Sequence, residues 1–141
     1  MDELALLCGL LEKQYAVQQK LLELENNKTL ILAKGDDSKL DQFIKQEQPL
    51  IMETDNLEKQ REALLKKMGM QEYTLKETIE LAESPLKSEL GDIFRRLSGV
   101  VDQLRNVNQL NMKLLNLRLQ TVKSINAQLG VQEESVTYKK K

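Results

Sequence analysis

Apolar residues recur along this chain at spacings of three and four, and its scarce strand formers never alternate with period two. Over residues 1–34 they are Leu7, Leu10, Leu11, Val17, Leu21, Leu24, Ile31 and Leu32, with polar residues between them. That is the pattern of an amphipathic helix burying one face. Gln14, Gln18 and Lys28 interrupt the stripe, which predicts imperfect packing. Gly35 can take the left-handed conformation that closes a helix, so a stop is expected there.

A second stripe follows at once: Leu40, Phe43, Ile44, Leu50, Ile51, Leu57, Leu64, Leu65 and Met68, ending at Gly69. Ser38 is placed to cap it, and Asp41 three residues later resembles a capping box with a shortened acid. Phe43, Leu50, Leu57 and Leu64 recur every seven residues, which favours side-by-side packing at a shallow angle. Pro49 removes one backbone donor and predicts a kink near Gln46, yet the heptad stays in phase across it, so one bent helix is expected. The short link 34–38 makes these two helices an antiparallel hairpin.

Residues 70–84 form a connector in which Thr74 and Glu77 fit the capping box and Leu75, Ile79 and Ala82 give a short helix one face. Ser84-Pro85 reads as a cap followed by proline at the first helical position. From Pro85 nothing forces a stop before Gly130, which predicts a helix of roughly 65 Å at 1.5 Å per residue. Gly91 and Gly99 weaken it without ending it. Residues 131–141 are polar, lack periodicity and read as a disordered tail. The fold class is therefore all-α: an antiparallel, coiled-coil-like bundle of three long helices with one short connecting helix, in a single domain over 1–130.

Composition fits this reading and narrows the chemistry. The 141 residues are 40% hydrophobic but only 4% aromatic, with no Trp, as in long helices packed lengthwise. There is no His for acid–base work near neutral pH. The one cysteine, Cys8, sits among Leu4, Leu7, Leu10 and Leu11 and reads as a small buried hydrophobe rather than a reactive thiol. No phosphate-cradling loop, nucleophile elbow or metal-ligand cluster is present. Neither an enzyme nor a cofactor or metal site is expected. The acidic start at Asp2 and Glu3 argues against a signal peptide. No run approaches the roughly 18–20 apolar residues of a membrane span. A soluble, intracellular protein without membrane insertion is expected.

The long third helix carries more apolar surface than a small bundle uses. From Leu86 to Val107 its apolar residues span an arc of about 140°, an ordinary core stripe. Beyond, Leu110, Met112, Leu114, Leu115, Leu117, Leu119, Val122, Ile125 and Leu129 spread over about 220°. A surplus of this size marks a contact surface for another protein's helix. The alternatives are that the first helix wraps this end, or that two copies pack here as a homo-oligomeric coiled-coil adaptor with no client. Charge is uneven too: residues 92–141 hold nine Lys and Arg against four Asp and Glu. These cations are dispersed around the helix without interleaved aromatics, which suits a solvated face or an acidic helical partner better than nucleic acid.

Val107-Asn108-Gln109-Leu110-Asn111-Met112-Lys113-Leu114 resembles the N-x-x-N-x-x-L stretch of FlgN-type flagellar export chaperones. The long first helix, the second helix ending Leu64-Leu65-Lys66-Lys67-Met68-Gly69, the short capped segment and the run from Leu97 to Leu104 occur around it in the family's order, over roughly residues 5–130; Pro49 is a departure. The resemblance implies a cytoplasmic, non-enzymatic chaperone that works without ATP. It would hold the C-terminal helices of the hook–filament junction proteins FlgK and FlgL and present them to the type III export gate. The candidate client-binding residues are Asn108, Asn111, Met112, Leu114, Leu115, Leu119, Val122, Ile125 and Leu129. Asn108 and Asn111 share one face and suit either a partner's backbone or register inside the bundle. Tyr138, isolated in the tail, is a candidate anchor for the export gate.

Overall fold

The computed structural model describes residues 2–83 and 85–139, with side chains described as far as Leu129. Four helices follow one another: α1 Glu3–Lys34, α2 Leu40–Lys67, α3 Leu75–Leu81 and α4 Lys87–Lys139, with no strand among the described residues. Their ends are set locally. Asp2 opens α1, its carboxylate accepting from the Leu4 N–H at 3.0 Å. At Gly35, φ is 75°, and the N–H groups of Gly35 and Asp36 return to the carbonyls of Leu32 and Ile31. Gly69, at φ 74°, closes α2 in the same way, with Met70 N–H on the Leu65 carbonyl at 2.8 Å. Both are Schellman closures, which need a left-handed residue and so favour glycine. The Thr74–Glu77 capping box forms in both directions.

Three boundary expectations change. Ser38 does not cap α2; its hydroxyl donates to Asp36 Oδ1 at 2.6 Å, inside a 3-10 turn over Asp37–Lys39 that runs straight into the helix. That bond also holds the Asp36 carboxyl below its ordinary value. The helix α2 passes through Pro49 as one element. The last helix starts at Lys87 rather than Pro85, with the Leu86 carbonyl accepting from the Leu90 N–H; Ser84 lies outside the described residues. It continues past Gly130, where a stop was expected. The helix therefore occupies 131–139 of the stretch read as a disordered tail, while residues 140–141 and the Tyr138 side chain lie outside what the structure describes.

Helix α1 is the central element, flanked by α2 and α4, whose backbones do not approach one another closely. Cross-links fix the directions. Gln14 meets Glu58, Gln18 meets Thr54 and Lys28 meets Glu47, so α2 descends as α1 rises. Glu12 meets Arg96, Glu25 meets Asn111 and Gly35 meets Arg118, so α4 rises beside α1 in parallel.

The two flanks of α1 differ in chemistry. Toward α4, Leu7, Leu11, Leu90, Ile93, Leu97 and Val100 bury almost completely, joined by Leu64, Leu65 and Ile79; Val17, Leu21, Leu57 and Leu104 continue the core upward. Each such side chain stabilises the fold by roughly 1.5–3 kcal/mol. Toward α2, the three residues that interrupt the α1 stripe meet polar partners. Gln14 bridges Glu58 and Arg61 at 3.2 and 3.3 Å, and Lys28 reaches Glu47 at 3.0 Å. Burial along α2 fades toward its start. Leu57 and Leu64 are buried and Phe43 and Leu50 half-buried, whereas Ile44 and Ile51, expected on the core face, are 49% and 48% exposed. They flank the heptad line and face the space that separates α2 from α4.

Candidate functional site

The surplus apolar surface of α4 arises from a mismatch in helix length. The first helix has 32 residues and the last 53, and they run in parallel from the same end. The turn that closes α1 is level with Arg118, whose guanidinium donates to the Gly35 carbonyl at 3.3 Å and to Asp37 Oδ2 at 2.7 Å. The Asp37 carboxylate raises the Arg118 pKa further above its ordinary value. Below this clamp the α4 seam is filled by α1. Above it the seam positions continue, with no α1 to cover them. Leu119, Val122, Ile125 and Leu129 are between 44% and 56% exposed. Each apolar side chain here leaves enough surface in water for a partner helix to bury.

Below the clamp, a groove of about 340 Å³ opens between α2 and α4, with α1 as its floor. Ile51 stands on one wall, Leu104, Met112 and Leu115 on the other, and Leu21 lies at the base. Asn108 and Met112, which is 60% exposed, also line an adjoining concavity along α4 with Val101 and Arg105.

The groove floor is polar and internally satisfied. Asn111 is 2% exposed. Its Nδ2 donates to the Glu25 carbonyl at 3.0 Å and to the Glu25 carboxylate at 2.8 Å, while the Thr29 hydroxyl lies 2.5 Å from its Oδ1. Glu25 is buried as well, and Lys28 stands between it and Glu47, at 3.8 and 3.0 Å. Burial raises the Glu25 pKa above its ordinary value; the bond from Asn111 and the charge of Lys28 pull the other way, and Glu47 adds to the rise. This is an environment that disfavours a charge yet supplies partners for it.

The nine candidate client residues therefore divide. Leu119, Val122, Ile125 and Leu129 form one exposed row beyond α1. Met112, Leu115 and Asn108 border the groove below, and Leu114 is half-buried on α4. Asn111 is enclosed inside the bundle, its polar atoms engaged by Glu25 and Thr29. Sequence reading missed Glu25, Thr29 and Arg118. A lone Arg beside surplus leucines was the available signal for the third; nothing local marks the first two. Cys8 is half-buried against the lower core, and burial pushes its thiol pKa up, which keeps it a poor nucleophile.

Among the described residues no helix is long and apolar enough to cross a membrane. Comparison with curated proteins and with solved structures gives no match. A family model described as FlgN protein matches residues 1–141, the whole of the chain. An all-helical hairpin, a long last helix outrunning its partners and that full-length match together make the chain a member of the FlgN family of flagellar export chaperones.

Proposed function

We propose that this chaperone holds the amphipathic C-terminal helices of the hook-associated proteins FlgK and FlgL against α4, prevents their premature association and hands them to the export gate. One observation carries the reading: the apolar seam of α4 runs on through Leu119, Val122, Ile125 and Leu129 after α1 has ended at Gly35. A client helix laid there replaces α1 as the covering partner and sits end-on to it. Met112 and Leu115 extend the same surface into the groove. Burying four such side chains from half exposure contributes roughly 3–6 kcal/mol before association costs, the scale of a transient complex. No covalent chemistry and no nucleotide is involved.

The test is a triple substitution, Leu119→Gln, Val122→Asn and Ile125→Gln, in the full chain. Binding of isolated FlgK or FlgL C-terminal segments, followed by calorimetry, is expected to fall below detection while the helical circular dichroism and unfolding midpoint stay unchanged. Unchanged binding places the client elsewhere. Hand-over to the gate is assigned to Tyr138. Tyr138→Ala is expected to retain client binding and to lose binding to the gate component; loss of neither ends that assignment.

A further inference from the structure

Among the described residues, two of the exposed apolar surfaces carry opposite charge. The first is α4 above the Arg118 clamp, where residues 119–129 hold Lys123 and no acidic residue. The second is the upper half of α2, where Ile44, Ile51 and Met52 are 49%, 48% and 69% exposed. Residues 40–58 hold Asp41, Glu47, Glu53, Asp55 and Glu58 against Lys45 alone. Client capture by α4 gives the α2 surface no role. We infer that the two surfaces belong to one another, in two copies of the chain: each copy's projecting α4 lies head-down in the groove between the other copy's α2 and α4.

The geometry closes. A two-fold axis across α4 near the level of Arg118 turns the second copy upside down and brings its projection back along the first copy's α2. Residues 119–129 extend about 16 Å, and the groove wall from Leu104 to Arg118 about 21 Å, at 1.5 Å per residue. By helical projection Leu119, Val122 and Lys123 share a side with Met112 and Leu115, so the groove-facing side of α4 is apolar with a cation on it. On α2, Asp41 and Asp55 share the side of Ile44 and Ile51 by the same projection. The arrangement is isologous, so both projections are covered at once and no surface is left to propagate a filament. It buries on the order of 1,000 Å² or more, the size of a specific interface. A simple pairing of α4 with α4 would instead set cation against cation and leave Ile44, Ile51 and Met52 in water. In this state the chaperone covers its own apolar seam until a client competes for it.

Charge exchange tests the inference, read by sedimentation velocity across concentrations on the full chain, with circular dichroism confirming the fold of each variant. The unaltered chain is expected to dimerise reversibly. Lys123→Glu and, separately, Asp41→Lys with Asp55→Lys are each expected to raise the dissociation constant about tenfold, since each change acts twice across the axis. Mixing the two variants is expected to restore a dimer, because each then offers the sign the other lacks. Lys113→Glu, about 80° round α4 from Lys123 by the same projection and with the same net charge change, is expected to weaken the dimer less than Lys123→Glu does. A chain that stays monomeric, an α2 variant that dimerises like the parent, or a mixture that does not associate overturns the proposal. The α2 variant leaves the client row intact, so its client binding separates failure of this inference from failure of the chaperone reading.

Discussion

Among the described residues Asn111 is the one polar side chain of α4 buried against α1, and replacing it with alanine measures what holds those parallel helices in register. The substitution deletes two bonds from Nδ2, one to the Glu25 carbonyl and one to its carboxylate, and the contact of Oδ1 with Thr29. The losses are unequal. The Thr29 hydroxyl stands 3.0 Å from the same Glu25 carbonyl, so that carbonyl keeps a donor and the hydroxyl keeps an acceptor. What is left exposed to loss is the Glu25 carboxylate, 6% exposed, with Lys28 at 3.8 Å as its remaining partner. A bond to a charged group contributes about 1.5–3 kcal/mol and a neutral one about 1. The sum is about 3 kcal/mol of destabilisation at pH 7, visible as a lowered midpoint in guanidinium unfolding with an unchanged slope. Asn111→Asp is expected to cost more, since it sets a second carboxylate against Glu25, and its deficit should narrow as the pH falls. A change under about 0.5 kcal/mol for Asn111→Ala would refute the argument that this cluster fixes the register.

Other outcomes follow from the same contacts. Glu25 has its folded pKa raised above the ordinary 4.5, so its charge costs stability at neutral pH, and stability rises as pH falls from the raised value toward the unfolded one. Glu25→Gln keeps an acceptor for Asn111 and the Lys28–Glu47 pair; it is expected to be the more stable protein at pH 7, with the difference vanishing near pH 4.5 in a pH series of unfolding curves. Gly35→Ala and Gly69→Ala both force alanine to a φ near 75°, but only at Gly35 would the new Cβ stand 2.7 Å from Arg118 Nη1. Each is expected to cost about 1 kcal/mol of backbone strain, Gly35→Ala more, with the excess abolished in an Arg118→Ala background by a double-mutant cycle. Leu97→Ala, in the core, is expected to cost about 2–4 kcal/mol in chemical unfolding, against less than 0.5 for Leu119→Ala.

Local signals were legible wherever one stretch of chain satisfies itself. The closures at Gly35 and Gly69 and the Thr74–Glu77 box use partners within five residues, so composition and spacing suffice to place them. The stripes of α1 and α4 likewise follow from a period the backbone imposes. Ser38 shows the limit even at short range: it had Asp36 as an alternative acceptor, and a 3-10 turn brought the two together.

What the stripes do not contain is which helix meets which, and at what height. Gln14, Gln18 and Lys28 interrupt an apolar row when read alone; beside α2 they find Glu58, Thr54 and Glu47, 44, 36 and 19 residues away. Ile44 and Ile51 fit a buried face by period but lie over the space between α2 and α4, because α1 separates those helices. The widened arc of α4 was visible in sequence as surplus leucine, but periodicity treats Asn111 and Leu119 alike. Only the end of α1 at Gly35, held level with Arg118, decides that the first is enclosed and the second is bare. Helix period is a property of one backbone; register between helices is set by the summed packing of residues distant in sequence, and no local pattern encodes that sum.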